Sequence, residues 1–369
     1  MGLIRLLLAI AVLATHTKTL FFFQFPSGST AVRIFFVISG FYMALILNKK
    51  YLKMDNGLWL FYSNRFLRLY PLYWFILILT IVVSLTGYLF NDSPFFLTHI
   101  INGSHHPDWI GWFIIIFSNL FILLQSALSF ISFYDGQTFL IHTNPQAISG
   151  NLYSLIPPAW SIGMEISFYL LAPFYAGRSW KAVALLFLFC IGVKELIGWS
   201  GLAFGPWGHR FILSGLIYFI AGVLVYKIYE KYFHRYYSKR LAIMLLALWI
   251  PTTLFNGYIF QQNLDLGYYI YAVFSIVSIP FIFQLSSSWS WDRFIGELSY
   301  PVYLSHYVCI GILSYLLSVL NINQSCIQGG GLVVTLLLSF TLLKVVLLPI
   351  ERIRQKRVSS ANTNNSGVH

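Results

Sequence analysis

From Leu69 to Leu85 the chain runs for seventeen residues without a charged side chain, and from Leu332 to Pro349 it does so again with Lys344 as the only interruption. Stretches like these read as helices across a lipid bilayer, because about 20 apolar residues at 1.5 Å each match a hydrocarbon core about 30 Å thick. The whole chain has this character: of its 369 residues 58% are hydrophobic and 9% charged, with a mean hydropathy of +0.74. So few charges cannot coat a water-facing surface of this size. A transmembrane β-barrel would show alternating segments of about ten residues, and these are missing. The expected class is an all-α polytopic membrane protein.

The formal charge of +12 raises the question of nucleic acid, yet the bases are not spread over a soluble face. They gather in short loops at Lys49, Lys50, Lys53, Arg65 and Arg68, then Lys227, Lys231, Arg235, Lys239 and Arg240, then Arg352, Arg354, Lys356 and Arg357. Short loops rich in Lys and Arg stay cytoplasmic, so the charge is first a topology signal and no nucleic-acid partner is expected. Cys190, Cys309 and Cys326 are too few and too scattered for a disulfide framework.

Ten spans are expected, at about 3–23, 31–47, 69–90, 160–176, 182–199, 210–228, 241–260, 266–285, 296–318 and 330–350. The first is read as a span rather than a cleaved leader, since apolar character resumes at Leu20 and no convincing cleavage site intervenes. Keeping all three basic clusters inside leaves the apolar stretch 109–131 starting and ending on one side, so it is expected to be re-entrant or interfacial, with both termini cytoplasmic. Residues 1–350 form the membrane domain, and 351–369 are expected to be a short, disordered cytoplasmic tail, basic and then polar. Gly329-Gly330-Gly331 reads as a flexible turn.

Ionisable side chains inside such spans each cost about 2.5–3.5 kcal/mol on insertion scales and should therefore have a task. Arg5 and His16 are eleven residues apart; at 100° per residue they share one helical stripe, about 16 Å apart along the axis. That places a cation near one mouth of a cleft and a buried imidazole at depth. Arg65 and Arg68, at i and i+3, present two neighbouring guanidiniums suited to phosphate oxygens. Glu165 follows a proline-started helix at Pro157-Pro158-Ala159-Trp160 and needs an Arg or His partner. Arg33 opens the second span on the external side. Ser39 and Gly40, inside an aromatic run, permit close helix approach.

These residues fall in patterns that together resemble the acyltransferase-3 family of bacterial membrane O-acyltransferases. They are Arg5 with His16, Phe35-Phe36-Val37-Ile38-Ser39-Gly40-Phe41, Arg65-Phe66-Leu67-Arg68 followed by Tyr70-Pro71, Trp160-Ser161 with Glu165 and Phe168-Tyr169, and Glu297-Leu298-Ser299-Tyr300-Pro301-Val302-Tyr303-Leu304-Ser305-His306. Ala31, where many relatives carry Gly, is a departure. The resemblance covers about the first 350 residues and implies a ten-helix core in the bacterial inner membrane. It also implies transfer of an acyl group, most simply acetyl, from acyl-CoA to a hydroxyl of a cell-surface or lipid-linked glycan. Acetyl-CoA would be the donor substrate, with no permanently bound cofactor.

Histidine suits the proton transfer such a reaction needs, so His16 is expected to act as general base. By the resemblance, Arg65 and Arg68 would hold the donor phosphates and Arg5 would guide the donor arm. Glu165 would orient His16 or bind the acceptor, and Arg33 would line the acceptor side. A Ser305/His306/Glu297 triad is excluded, because adjacent residues on a helix point about 100° apart; His306 is expected to pack helices. His99, His105, His106 and Asp108 follow no standard ligand spacing, so no metal is expected. The alternative from another class is a transporter, flippase or polymerase of a lipid-linked glycan.

Overall fold

The computed structural model describes the chain except for residues 18–19, 21, 92, 102, 104–105, 141–145, 203–204, 234–235 and 367–369. Its major helices are α1 (Gly2–His16), α2 (Gly28–Lys49), α3 (Gly57–Asn91), α4 (Trp109–Phe121), α5 (Ala159–Ala176), α6 (Trp180–Ile197), α7 (Ile212–Ile228), α8 (Lys239–Leu254), α9 (Leu264–Ser286), α10 (Ser290–Val319), α11 (Ile327–Leu342) and α12 (Leu348–Ser366). Among the described residues seven helical stretches are long and apolar enough to cross a membrane. The other three expected spans are also helical, as α1, α5 and α8, of 15, 18 and 16 residues. The α-helical polytopic class is thus the observed one.

Contacts divide the chain into two compact units. The first comprises Met1–Arg68, Tyr169–Cys190 and Leu216–His369; the second comprises Leu69–Phe168 and Ile191–Gly215.

In the first unit, small residues let backbones meet. A Cβ on Gly40 of α2 would lie 1.9 Å from the Phe219 carbonyl oxygen of α7, and one on Gly222 of α7 would lie 2.0 Å from that of Val37. Each glycine therefore makes room for the other helix's backbone, in keeping with the close approach expected at Ser39-Gly40. The same device joins α1 to α10, where a Cβ on Gly2 would fall 1.6 Å from the Asp292 carbonyl oxygen. The Asp292 carboxylate accepts the Gly2 and Leu3 amides, both at 2.8 Å, and also contacts the Met1 amino group. It thereby satisfies donors that a helix start leaves unpaired.

Three expectations need correction here. The first helix stops at His16 instead of running to residue 23: the Thr17 amide and hydroxyl both turn back to the Ala14 carbonyl. Beyond it, Gln24 donates to the Leu254 carbonyl at 3.0 Å and accepts from Gly257 at 2.9 Å, so tertiary bonds hold the chain out of helix. Gly330 and Gly331 are helical, within α11, where Cβ atoms would approach Leu313 and Ile310 of α10. The expected disordered tail is helical to Ser366. Its Glu, Arg, Gln and Lys residues favour helix, and Glu351 accepts from Arg354 and Gln355 one turn on.

The second unit holds the stretch 109–131, which is not one helix. Asp108 caps α4 by accepting the Gly111 amide at 2.7 Å, and α4 ends after 13 residues, a rise of about 20 Å that falls short of the hydrocarbon core. Ile122 and Leu124 then take positive φ, 61° and 67°, a costly conformation for non-glycine residues and above all for a β-branched one. A 3₁₀ turn leads to a small sheet that is absent from the sequence expectations: β1 (Ile131–Tyr134), β2 (Gln137–Leu140) and β3 (Ile148–Ser149), in the antiparallel order β2-β1-β3. Asp135-Gly136 supplies two positive-φ residues for the two-residue hairpin turn. Ile115, Leu128, Ile131, Phe133 and Tyr153 form the core beneath.

Three side chains of α3 reach the end of α4. Tyr70, Tyr73 and Trp74 donate to the carbonyls of Phe121, Asn119 and Leu120. The buried Asn119 side chain donates to the Ile115 and Tyr153 carbonyls at 2.9 and 3.0 Å and accepts from the Leu155 amide at 2.9 Å and from Gln125 at 3.3 Å. Replacing Asn119 with Ala orphans buried groups at a cost of about 1–3 kcal/mol each. Thermal unfolding of the detergent-solubilised protein should therefore show a midpoint several degrees lower, and an unchanged midpoint would mean that this network does not hold the unit together.

Candidate functional site

The residues singled out in the sequence divide between the units. Arg5, His16, Arg33, Arg65 and Arg68 fall in the first; Glu165 falls in the second, half-buried on α5 one turn from the buried Ser161.

On α3, Arg65 and Arg68 lie one turn apart. Arg68 forms an ion pair at 3.3 Å with Glu297 of α10, both side chains partly shielded. Glu297 also lies within electrostatic range of Arg5 and Arg354, so one carboxylate stands among three guanidiniums. Gly296, beside it, is where α1 closes on α10; a Cβ there would sit 2.8 Å from the Gly2 Cα and 3.7 Å from the Arg5 guanidinium. Arg65 lies over the rings of Phe61 and Tyr169, each at 5.8 Å, and the Tyr169 hydroxyl hydrogen-bonds Ser39 at 3.1 Å. Three separate sequence patterns therefore converge on one guanidinium through Ser39, Tyr169 and Arg65.

The helix α1 is continuous from Arg5 to His16, which puts the two on one stripe about 16 Å apart. His16 is not the buried imidazole expected. It ends the helix and is exposed, because α1 stops there. Its ring lies 5.2 Å from that of His306 and meets Tyr307 edge-on at 5.3 Å. His306 is fully buried, with Nδ1 2.7 Å from the Tyr303 carbonyl. A carbonyl only accepts, so Nδ1 carries the proton and Nε2 presents a lone pair. That Nε2 is buried and has no hydrogen-bond partner among the described residues.

In the sequence Glu297 and His306 belong to one of the family patterns and to a triad that helix geometry excludes, and only His306 is given a task, that of packing helices. A signal for Glu297 is nonetheless present, since it is an intramembrane carboxylate by the same argument that selects Glu165. Ser305 donates to the Pro301 carbonyl at 2.8 Å.

Arg33 is half-buried, its guanidinium 5.0 Å from the Tyr268 ring and 5.5 Å from that of Tyr218; the two hydroxyls bond each other at 2.7 Å. Of the loop residues considered for a metal, Asp108 caps α4 and accepts the Thr138 hydroxyl at 2.5 Å, and His99 packs on Tyr153. The Thr138 hydroxyl and Gly111 amide bonds hold the Asp108 carboxyl below the usual carboxylate range. His105 lies outside the described residues.

A helical membrane fold carrying a guanidinium–carboxylate cluster and a paired imidazole on its first helix defines a polytopic membrane protein with an ionisable interior site. The chain belongs to the acyltransferase-3 family, whose sequence model, described as an acyltransferase domain, matches residues 1–344. It is thus a membrane acyltransferase. It is also similar to an uncharacterised protein of Aquifex aeolicus (strain VF5), 23% identical over 211 residues that cover 54% of this chain and 89% of that one. No solved structure matches.

If Glu297 organises the cluster, Glu297→Ala and Arg68→Met should be coupled. A double-mutant cycle on thermal stability should return an interaction of about 1 kcal/mol, whereas strict additivity would show the two to be independent.

Proposed function

We propose that this protein transfers an acyl group, most simply acetyl, from acyl-CoA to a hydroxyl of a cell-surface or lipid-linked glycan in the bacterial inner membrane. Both termini, and with them the cluster around Glu297, face the cytoplasm. The observation that carries this reading is the shared placement on α1 of Arg5, beside the Glu297 cluster, and His16, about 16 Å further along. An acyl-CoA held by its phosphates at the guanidiniums has a long pantetheine arm that spans such a separation, bringing the thioester to the imidazole.

In the proposed step the acceptor hydroxyl oxygen bonds to the thioester carbonyl carbon while His16 takes the hydroxyl proton. The tetrahedral oxyanion collapses, the C–S bond breaks, and the proton passes from His16 to the departing CoA thiolate. His306 and Tyr307 flank the His16 ring and act as positioning residues. Arg65 and Arg68 bind donor phosphates, which match paired guanidiniums in charge and geometry. Arg33 and Glu165 serve the acceptor.

The His16→Ala variant should insert and accumulate normally yet lose acyl transfer by about a hundredfold or more, the contribution of a general base. Mass analysis of the surface glycan would show the mass of one acetyl group per repeat disappearing; persistence of the modification would sink the assignment. A transporter would instead retain partial flux without His16. Arg65→Ala and Arg68→Ala should raise the KM for acyl-CoA about tenfold or more while leaving the acceptor KM nearly unchanged. Topology is checked separately: a tag inserted near residue 140 that proved cytoplasmic would overturn the proposed orientation in the membrane.

A further inference from the structure

The basic run after Ile350 does not behave as a membrane anchor. An anchor would turn all its charges outward to water and lipid headgroups. On α12, Arg352 and Lys356 are exposed, but Arg354 shares the covered face with Val358 and is only 8% exposed, and Arg357 is half-buried. Arg357 donates to the Ser63 hydroxyl at 3.0 Å, joining α12 to α3 two residues from Arg65. Arg354 contacts Glu351 one turn back on its own helix and lies within electrostatic range of Arg65, Arg68 and Glu297.

Burying a guanidinium beside two others is unfavourable unless an anion joins them. The residues present do not supply enough negative charge. Arg5, Arg68 and Arg354 lie in range of Glu297, Arg65 lies in range of Arg354, and Glu351 pairs with Arg354; with Asp292 and the Met1 amino group it contacts included, five cations stand against three anions. Two donors of the cluster, Nε of Arg65 and Nε of Arg354, are buried with no hydrogen-bond partner among the described residues. Tyr42 of α2 lies in electrostatic range of Arg5, Asp292, Arg68 and Glu297. Excess positive charge, unpaired planar donors and a neighbouring hydroxyl together describe a site for a multiply charged phosphate anion.

We propose that Arg354 is a further donor-binding guanidinium alongside Arg65 and Arg68, so that α12 completes the site for the phosphates of the nucleotide part of acyl-CoA. The identity of that anion rests on the function proposed above. The phosphate chemistry is shared with an anionic lipid headgroup, and the test separates the two.

Full-length protein in nanodiscs of phosphatidylcholine, with and without phosphatidylglycerol, would be titrated calorimetrically with CoA. Arg354→Gln should weaken CoA binding about tenfold or more and flatten its salt dependence, while Arg352→Gln, on the exposed face of the same helix, should leave binding unchanged. Glu351→Gln distinguishes a binding role from a merely structural ion pair. A binding Arg354 freed of its carboxylate should hold CoA at least as tightly, whereas a structural pair would lose stability on either substitution and leave the affinity of the folded fraction intact.

Wild type that binds no CoA would overturn the donor reading itself. Wild type that binds, with Arg354→Gln binding equally well, would overturn this inference alone. So would an Arg354→Gln variant that lost only co-purifying phosphatidylglycerol, read by native mass spectrometry, with CoA affinity unchanged in both lipid mixtures.

Discussion

The ion pair between Arg68 and Glu297 is the interaction on which the guanidinium cluster depends. Each of these charges would be unfavourable if shielded from water without a partner. Together they reduce each other's cost, and the same carboxylate offsets part of the repulsion among Arg5, Arg68 and Arg354, all of which lie in range of it. The pairing joins α3 to α10 across 229 positions of sequence. Closeness of α1 to α10 follows from Gly2 and Gly296, which remove the side chains that would otherwise separate Arg5 from Glu297. Small residues and charged residues are thus parts of one arrangement, the first creating the proximity that the second requires.

Arg65 is held differently. Its guanidinium lies on Phe61 and Tyr169, and Tyr169 is anchored to Ser39, so aromatic faces rather than a carboxylate set its position. One arginine of the pair is therefore partly neutralised by Glu297, while the Nε of the other has no hydrogen-bond partner among the described residues. The same division of roles appears at the two histidines. His306 is locked by the Tyr303 carbonyl and fully buried, whereas His16 is exposed and available at the end of its helix.

What could be read from residues alone follows the range of the forces involved. The spans expected at 69–90 and 266–285 were legible because hydropathy is local, although the helix of the first begins earlier, at Gly57, and takes in Arg65 and Arg68, which the charge pattern places in a loop. The end of α1 was not, since it depends on bonds from Gln24 to Leu254 and Gly257. The small sheet had a signal in Asp135-Gly136 between Ile131–Tyr134 and Gln137–Leu140, but a chain so rich in helical hydropathy drew attention from it. The arginines and His16 were found because charge in lipid is conspicuous. The partnership of Arg68 with Glu297 and of His16 with His306 was out of reach, because it depends on which distant helices meet. Arg354 could not be told from its basic neighbours for a related reason: such residues look alike until the fold shows which one is covered.

The docking of α4 carries a mechanical consequence. Tyr70, Tyr73 and Trp74 stand at i, i+3 and i+4 on α3 and grip three successive carbonyls at the end of the shorter helix. A three-point grip fixes rotation as well as position, so the two helices must turn as a single rigid piece. The sharp turn just beyond the grip is made at Ile122 and Leu124, whose backbones are held away from relaxed geometry. The segment carrying the hairpin is carried along with that piece, because Thr138 bonds Asp108 at the start of the shorter helix and Asn119 holds Tyr153 and Leu155 near its end.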